Sequence, residues 1–79
     1  MNKAELFDKV RDIICEKLDV EKDKVTLQAV LTDDLGADSL ELVDLAMEIE
    51  SSLGTAIADS ELEKIKTVGD VVETLLKKM

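Results

Sequence analysis

The stretch DDLGADSLELVDLAMEIE, residues 33–50, decides the fold of this chain because a turn, a helix start and a long helix meet in it. Asp38 is a good N-cap residue, and Glu41 three positions later completes a capping-box pattern. We therefore predict a helix from Ser39 to about Leu53. The stretch holds seven carboxylates and no cation, so the predicted helix is strongly acidic.

The composition of the chain points to a small domain held together by helix packing. The 79 residues include one cysteine, no histidine and no proline, and Phe7 is the single aromatic residue. One cysteine cannot form an internal disulfide or, without histidine, an ordinary zinc site. Leu, Val, Ile, Glu and Lys together make up more than half of the chain, which favours helices with aliphatic interiors. We predict one domain over residues 1–79 with no metal site.

Hydrophobic periodicity divides this domain into helices. Apolar residues at helical spacing predict a first helix over residues 3–18, with a stripe made of Leu6, Val10, Ile13, Ile14 and Leu18. Thr67 with Asp70 marks the capped start of the last helix, whose predicted buried face is Val68, Val71, Val72, Leu75 and Leu76. A short third helix is predicted after Asp59, in SELEKI, residues 60–65. The predicted fold is all-α, a small four-helix bundle with three main helices, one short third helix and a long first loop.

The long first loop, residues 19–38, has no sustained period. Its segment VTLQAVL, residues 25–31, has some strand character, but a single strand would have no partner in this chain. A loop of this length inside a compact domain must be functional or held in place. We expect apolar side chains to hold it against the bundle, namely those of Val25, Leu27, Val30, Leu31 and Leu35.

The helix that begins at Ser39 carries two apolar stripes on a helical wheel. The first is a predicted core face made of Leu42, Ala46, Ile49 and Leu53, with Leu45 on its flank. The second is made of Leu40, Val43 and Met47, and acids border it, namely Glu41, Asp44, Glu48 and Glu50. A second stripe fits either a wide apolar face in a crowded bundle or a docking face for a partner with an apolar groove and a basic rim.

The net charge of −9 is concentrated in the middle of the chain. Residues 25–63 hold ten acids and no Lys or Arg, whereas the rest of the chain holds nine acids and ten bases. This field repels nucleic acid and anionic membranes and attracts basic protein surfaces. The charged start of the sequence leads us to expect no signal peptide, and no apolar stretch is long enough to span a membrane. With one free thiol, we expect a cytoplasmic protein. We also expect it to be a monomer.

Ser39 stands at the start of the acidic helix, and three interpretations compete for it. It fits an ordinary helix-start serine. A catalytic nucleophile would need a general base, but histidine is absent and no G-x-S-x-G motif surrounds it. A site of covalent modification needs only an incoming enzyme, and a phosphoryl group there would face the positive end of the helix dipole. A calcium loop is excluded because ligand positions 1 and 12 would be Leu31 and Leu42.

The stretch DLGADSLELVDL, residues 34–45, closely resembles the signature of the acyl carrier proteins of dissociated (type II) fatty acid synthesis. The resemblance covers essentially the whole chain. It includes VRDIICEKLDV at 10–20, KVT at 24–26, Ile57 with Asp59, and KIKTVGDVV at 64–72.

This resemblance implies that the protein is not an enzyme and that Ser39 receives 4′-phosphopantetheine from coenzyme A, beside Asp38 and Leu40. The arm would carry acyl groups as thioesters among fatty acid synthesis enzymes and acyltransferases with basic surfaces, after loading by a phosphopantetheinyl transferase. The partner-contact residues implied by position are Glu41, Val43, Asp44, Met47, Glu48 and Glu50. The residues implied to line an interior acyl cavity are Leu42, Ala46, Ile49, Leu62 and Ile65.

The chain departs from the family pattern at a few positions. Leu53 stands where many relatives have an aromatic residue, Ala58 where a proline is common, and Ser51 and Ser52 within an acidic run. These departures leave partner preference and the loop before the third helix open. Two alternatives remain: a carrier for another acyl pathway, such as polyketide or aminoacyl chemistry, and an acidic helical adaptor that is never modified.

Overall fold

The computed structural model describes residues 2–78, and within them the chain forms four α-helices and one 3-10 turn. The helices are α1 (Lys3–Leu18), α2 (Ser39–Leu53), α3 (Asp59–Leu62) and α4 (Val68–Lys78), and the 3-10 turn covers Lys22–Lys24. The predicted all-α four-helix fold with a long first loop is confirmed. The third helix is shorter than predicted, because Glu63 and Lys64 form a turn instead of continuing it.

Side-chain caps set where α2 and α4 begin. The Glu41 backbone N–H donates to Asp38 Oδ1 at 2.8 Å, and Glu41 Oε1 accepts from the Asp38 N–H at 3.3 Å. At α4, the Asp70 N–H donates to Thr67 Oγ1 and Asp70 Oδ2 accepts from the Thr67 N–H, both at 3.1 Å. Both predicted capping boxes are therefore present. Gly54, in the left-handed conformation at φ 71°, ends α2 just after Leu53, the predicted last residue of the helix.

The core lies between α1, α2, α4 and the long loop. The buried side chains of α1 are the predicted stripe residues Leu6, Val10, Ile13 and Ile14, whereas Leu18 is partly buried. The buried face of α4 consists of Val68, Val71, Val72 and Leu75, with Leu76 at its margin. Apolar periodicity was sufficient to predict both faces because each helix buries one stripe.

The core face of α2 differs from the predicted one. Leu45 and Ile49, at 2% and 1% exposure, are its buried residues. Leu42, Ala46 and Leu53, predicted as core, are only partly buried. The predicted face is rotated because the wheel identifies an apolar arc but not which part of that arc meets α1.

The long first loop is held to the segment before α4 by backbone hydrogen bonds as well as by side chains. Val25, Leu31 and Leu35 are buried as predicted, and Leu27 and Val30 are partly buried. Val30 also forms an isolated antiparallel bridge with Thr67. The backbone bonds around this bridge are Leu31 N–H to Lys66 O at 2.9 Å, Val68 N–H to Ala29 O at 3.1 Å and Gly69 N–H to Leu27 O at 2.9 Å. The expectation that VTLQAVL has no pairing partner is wrong, since residues 66–69, before and at the start of α4, pair with it through these three hydrogen bonds and the bridge.

Candidate functional site

Ser39 is the first residue of α2, and its side chain is exposed. Asp38 immediately before it is the N-cap, so the capping box sets the direction in which the helix starts. The first N–H groups of a helix have no partner within the helix. Here the Glu41 N–H donates to Asp38 Oδ1 at 2.8 Å, and the Leu42 N–H donates to the Asp38 carbonyl oxygen at 2.9 Å. The N–H groups of Ser39 and Leu40 have no hydrogen-bond acceptor among residues 2–78, so they are free to bind another group.

A cleft of about 870 Å³ runs beside Ser39, bounded by α2, α3 and the long loop. Its walls are largely apolar. The lining residues are Val30, Leu31, Thr32, Asp33, Ser39, Leu42, Val43, Asp59, Leu62, Glu63, Ile65, Lys66 and Thr67. A hydroxyl beside an apolar cleft can hold a group that has a polar point of attachment and an apolar end.

The structure gathers only part of the predicted cavity set around this cleft. Leu42, Leu62 and Ile65 line it. Ile49 instead lies in the packed core at 1% exposure, and Ala46 is partly buried without lining the cleft. Both differ from their predicted place because α2 turns its Leu45–Ile49 face toward α1, whereas the cleft lies along the side of α2 that bears Leu42.

Sequence reasoning missed the half of the cleft that comes from the loop and from the segment before α4. Val30, Leu31 and Thr32 form one wall, and Lys66 with Thr67 continues it. The bridge between Val30 and Thr67 joins these two segments. Only the strand character of VTLQAVL hinted at this pairing, and its partner lies 37 residues away along the chain, beyond the reach of local patterns.

The second apolar stripe of α2 is exposed in the structure. Leu40, Val43 and Met47 are 77%, 45% and 61% exposed, and they are the large apolar side chains that are open to solvent within residues 2–78. This exposure argues against the interpretation that the stripe belongs to a wide apolar face in a crowded bundle. Val43 lines the cleft as well, so the stripe and the cleft share a border.

Carboxylates border this exposed stripe as predicted. Asp44 and Glu50 are exposed, and Glu41 and Glu48 are partly so. Glu48 Oε2 lies 3.8 Å from Nζ of Lys17 in α1. These two residues form the ion pair that joins α1 to α2 within the described residues. Three carboxylates thus remain without a cation partner next to the apolar stripe within residues 2–78.

Residues 2–78 contain neither a membrane-spanning helix nor a cluster of metal ligands. None of the described helices is both long and apolar enough to cross a bilayer. No group of His, Cys, Asp or Glu side chains in the same part of the chain is arranged to hold a metal ion.

Comparison with known proteins assigns the family. Residues 8–75 match the family described as the phosphopantetheine attachment site. The chain is 58% identical to an acyl carrier protein of Petrotoga mobilis over 79 residues, covering 100% of this chain and 93% of that protein. It is 54% identical to an acyl carrier protein of Thermotoga maritima over 78 residues, covering 99% of this chain and 96% of the relative.

A solved structure agrees with these relatives. The acyl carrier protein from Enterococcus faecalis, described for its high thermal stability, superimposes with a TM-score of 0.82 at 39% identity and with full coverage of both chains. This chain therefore belongs to the acyl carrier proteins, which are carriers rather than enzymes and whose cofactor is phosphopantetheine.

Proposed function

We propose that Ser39 is the attachment site of 4′-phosphopantetheine, and that the loaded protein carries acyl intermediates among the separate enzymes of fatty acid synthesis. The observation that carries this proposal is the position of Ser39. Its exposed side chain stands at the first residue of α2, beside an apolar cleft and at the end of an exposed apolar stripe. These three features meet at no other serine of residues 2–78.

The residues around Ser39 fit a phosphodiester. The N–H groups of Ser39 and Leu40 lie at the positive end of α2, where an anionic oxygen is stabilised. The Asp38 side chain is turned to the Glu41 N–H, so it fixes the helix start and leaves these two donors open. When attached, the group supplies a terminal thiol that carries acyl groups as thioesters.

The protein's own residues contribute no acid–base chemistry to the loading step. The Ser39 hydroxyl loses its proton and its oxygen forms the new bond to phosphorus, while the bond to the 3′,5′-ADP portion of coenzyme A breaks. Histidine is absent, and no side chain of residues 2–78 forms a hydrogen bond with the Ser39 hydroxyl, so we assign the base for this proton to the phosphopantetheinyl transferase. An exposed serine at a helix start satisfies what such a transferase requires.

The cleft is the proposed shelter for the acyl chain. Its walls include Leu42, Leu62 and Ile65, which are aliphatic and leave no aromatic ring to block the space. A carried chain that folds back from the arm would remove apolar surface from water at about 25 cal/mol per Å². Enclosure there would also keep the thioester away from water between enzymes.

The exposed stripe of α2 is the proposed docking surface for partner enzymes. Leu40, Val43 and Met47 provide apolar contact, and the flanking carboxylates match a basic rim. The flexible thioether of Met47 suits a surface that meets several partners in turn. We further propose that residues 1–79 form a single, monomeric carrier domain, and that its place of work is the cytoplasm, a compartment that suits the free Cys15 thiol.

Intact mass spectrometry tests the site. The protein is incubated with coenzyme A, magnesium and a phosphopantetheinyl transferase, beside Ser39→Ala and a matched control, Ser60→Ala, at another exposed helix-start serine. We expect a gain of one phosphopantetheine in the wild type and in the Ser60→Ala variant, and none in Ser39→Ala. A gain in Ser39→Ala would move the site elsewhere, and no gain in any folded sample would favour the unmodified adaptor.

The pathway needs a second test. A fatty acid malonyltransferase first transfers malonyl groups to the loaded protein. The malonyl form is then given to a ketosynthase of the same pathway. Chain extension would support fatty acid synthesis. Loading without extension would favour a carrier for another acyl pathway, such as polyketide or aminoacyl chemistry.

A further inference from the structure

Helix α3 forms part of the cleft wall, and Leu62 is its residue that packs against the core. Asp59 and Leu62 of α3, with Glu63 after it, line the cleft. The helix has only four residues, and none of them is fully buried. A helix of this length is marginal by itself because each end leaves backbone groups unpaired. Its position must therefore be set by specific contacts from outside the helix.

Lys78, in the last turn of α4, makes two such contacts, and both are polar. Its Nζ donates a hydrogen bond to the carbonyl oxygen of Ala56 at 3.0 Å and forms an ion pair with Glu61 of α3. Glu61 Oε1 also accepts the backbone N–H of Ala58 at 3.0 Å, which caps the start of α3. We call these linked contacts of Lys78, Ala56, Ala58 and Glu61 the Lys78 latch. The latch joins the end of α4 both to the segment that precedes α3, at Ala56, and to α3 itself, at Glu61.

The latch is better protected than an ordinary surface ion pair. The side chains of Lys78 and Glu61 are 31% and 34% exposed, and the lysine engages two acceptors at once. Hydrogen bonds from an ammonium group to a carboxylate are short and strong compared with neutral ones. The bond from Lys78 and the Ala58 N–H also lower the pKa of the Glu61 carboxyl, so it stays ionised near neutral pH.

We propose that Lys78 is a positioning residue for the cleft: by holding α3 through Glu61 and Ala56, it sets how closely the α3 wall covers a carried acyl chain. This inference rests on the proposed function, because that function supplies the acyl chain. The contacts of the latch are observed in the structure and do not depend on it. Lys77 provides a matched comparison, because it is the neighbouring lysine, is exposed and has no ion-pair partner within residues 2–78.

Amide hydrogen exchange on the unmodified protein tests the latch. Lys78→Met keeps the length and apolar stem of the side chain and removes its donors, and Lys77→Met is the control. We expect exchange of the amides in residues 58–65 to quicken about fivefold in Lys78→Met alone, with α1 unchanged. The Lys78→Arg variant should keep the wild-type exchange rate in these amides, since a guanidinium can donate to both acceptors. Equal behaviour of the two methionine variants, or a uniform change that includes α1, would overturn the proposal.

The hexanoyl form gives the readout that a purely structural role would not change. In wild type and Lys77→Met, attaching hexanoyl to the loaded protein should raise the melting temperature, and in Lys78→Met this increment should fall by about half. A full increment in Lys78→Met would overturn the link between latch and cleft. If Ser39 proves not to be the attachment site, the exchange experiment still tests the latch, so the two failures are distinguishable.

Discussion

The backbone N–H of Gly69 donates a hydrogen bond to the carbonyl oxygen of Leu27 at 2.9 Å, and a Cβ built on Gly69 would lie 3.0 Å from that same oxygen. The start of α4 and the long loop are thus packed backbone to backbone. This approach places the wall made by Val30 and Thr67 beside the cleft. The glycine is needed here for space, because its φ lies outside the left-handed region.

Gly69→Ala should destabilise the protein by about 1–2 kcal/mol, because the new methyl group must push the Leu27 carbonyl away and weaken its hydrogen bond. Helix propensity by itself predicts the opposite sign, a gain of up to about 1 kcal/mol for alanine over glycine. Urea unfolding of both proteins measures the difference. Glu73→Ala, at an exposed position of the same helix, should change stability by less than about 0.5 kcal/mol. An increase in stability for Gly69→Ala would contradict the close approach.

Stability should fall in acid partly through Asp70. Hydrogen bonds from the backbone N–H groups of Lys66 and Thr67, at 3.0 and 3.1 Å, hold the pKa of its carboxyl below the ordinary 3.8. A lowered folded-state pKa means that this stabilisation is complete above the ordinary value and is lost as the pH falls through the folded-state value.

The variant Asp70→Asn should therefore cost about 1 kcal/mol at pH 7, the usual effect of weakening a helix cap, and its stability should depend less on pH below 4. Unfolding by urea at pH 7, 4 and 3 measures both effects. Glu73→Gln, whose side chain caps no helix, should keep wild-type stability at pH 7. An Asp70→Asn protein that loses as much stability between pH 4 and pH 3 as the wild type would show that the Asp70 bonds are not responsible.

A hexanoyl group should raise the melting temperature of the loaded protein. If the chain enters the cleft and two or three methylenes are buried, the gain is about 2 kcal/mol at 0.8 kcal/mol per methylene, or roughly 10 °C for a domain of this size. Differential scanning calorimetry of the hexanoyl and unacylated forms measures it. An acetyl group, too short to reach the apolar walls, is the control. If the hexanoyl form melted at or below the melting temperature of the unacylated form, the acyl chain would not lie in the cleft.

Charge reversal beside the exposed stripe of α2, the proposed docking surface, should slow loading by a partner. Asp44→Lys places a cation beside Val43 and Met47, whereas Glu73→Lys makes the same change in net charge, from −9 to −7, on α4. At low salt we expect kcat/KM for phosphopantetheine transfer to fall about tenfold in Asp44→Lys, and the loss to shrink as salt screens the surface. Glu73→Lys should stay within about twofold, since it lies outside the contact. Equal losses in the two variants would point to net charge instead of a local surface.

Local sequence signals predicted much of this structure because they act over one or two helical turns. The capping patterns at Asp38 and Thr67 marked the starts of α2 and α4, and the apolar stripes of α1 and α4 predicted their buried faces. Those features need only neighbouring residues on one helix. The resemblance in DLGADSLELVDL then pointed to the family that the comparisons show.

What the sequence by itself determined is the helical class, the capped helix starts, and the place of Ser39 at the first residue of an acidic helix. Tertiary structure decided which side of α2 is buried, because a helical wheel with two apolar stripes does not say where α1 packs. It also decided the cleft, whose walls pair Val30 with Thr67, and the Lys78 latch on α3. These contacts join residues far apart in sequence, and only the packed chain brings their backbones and charges within bonding distance.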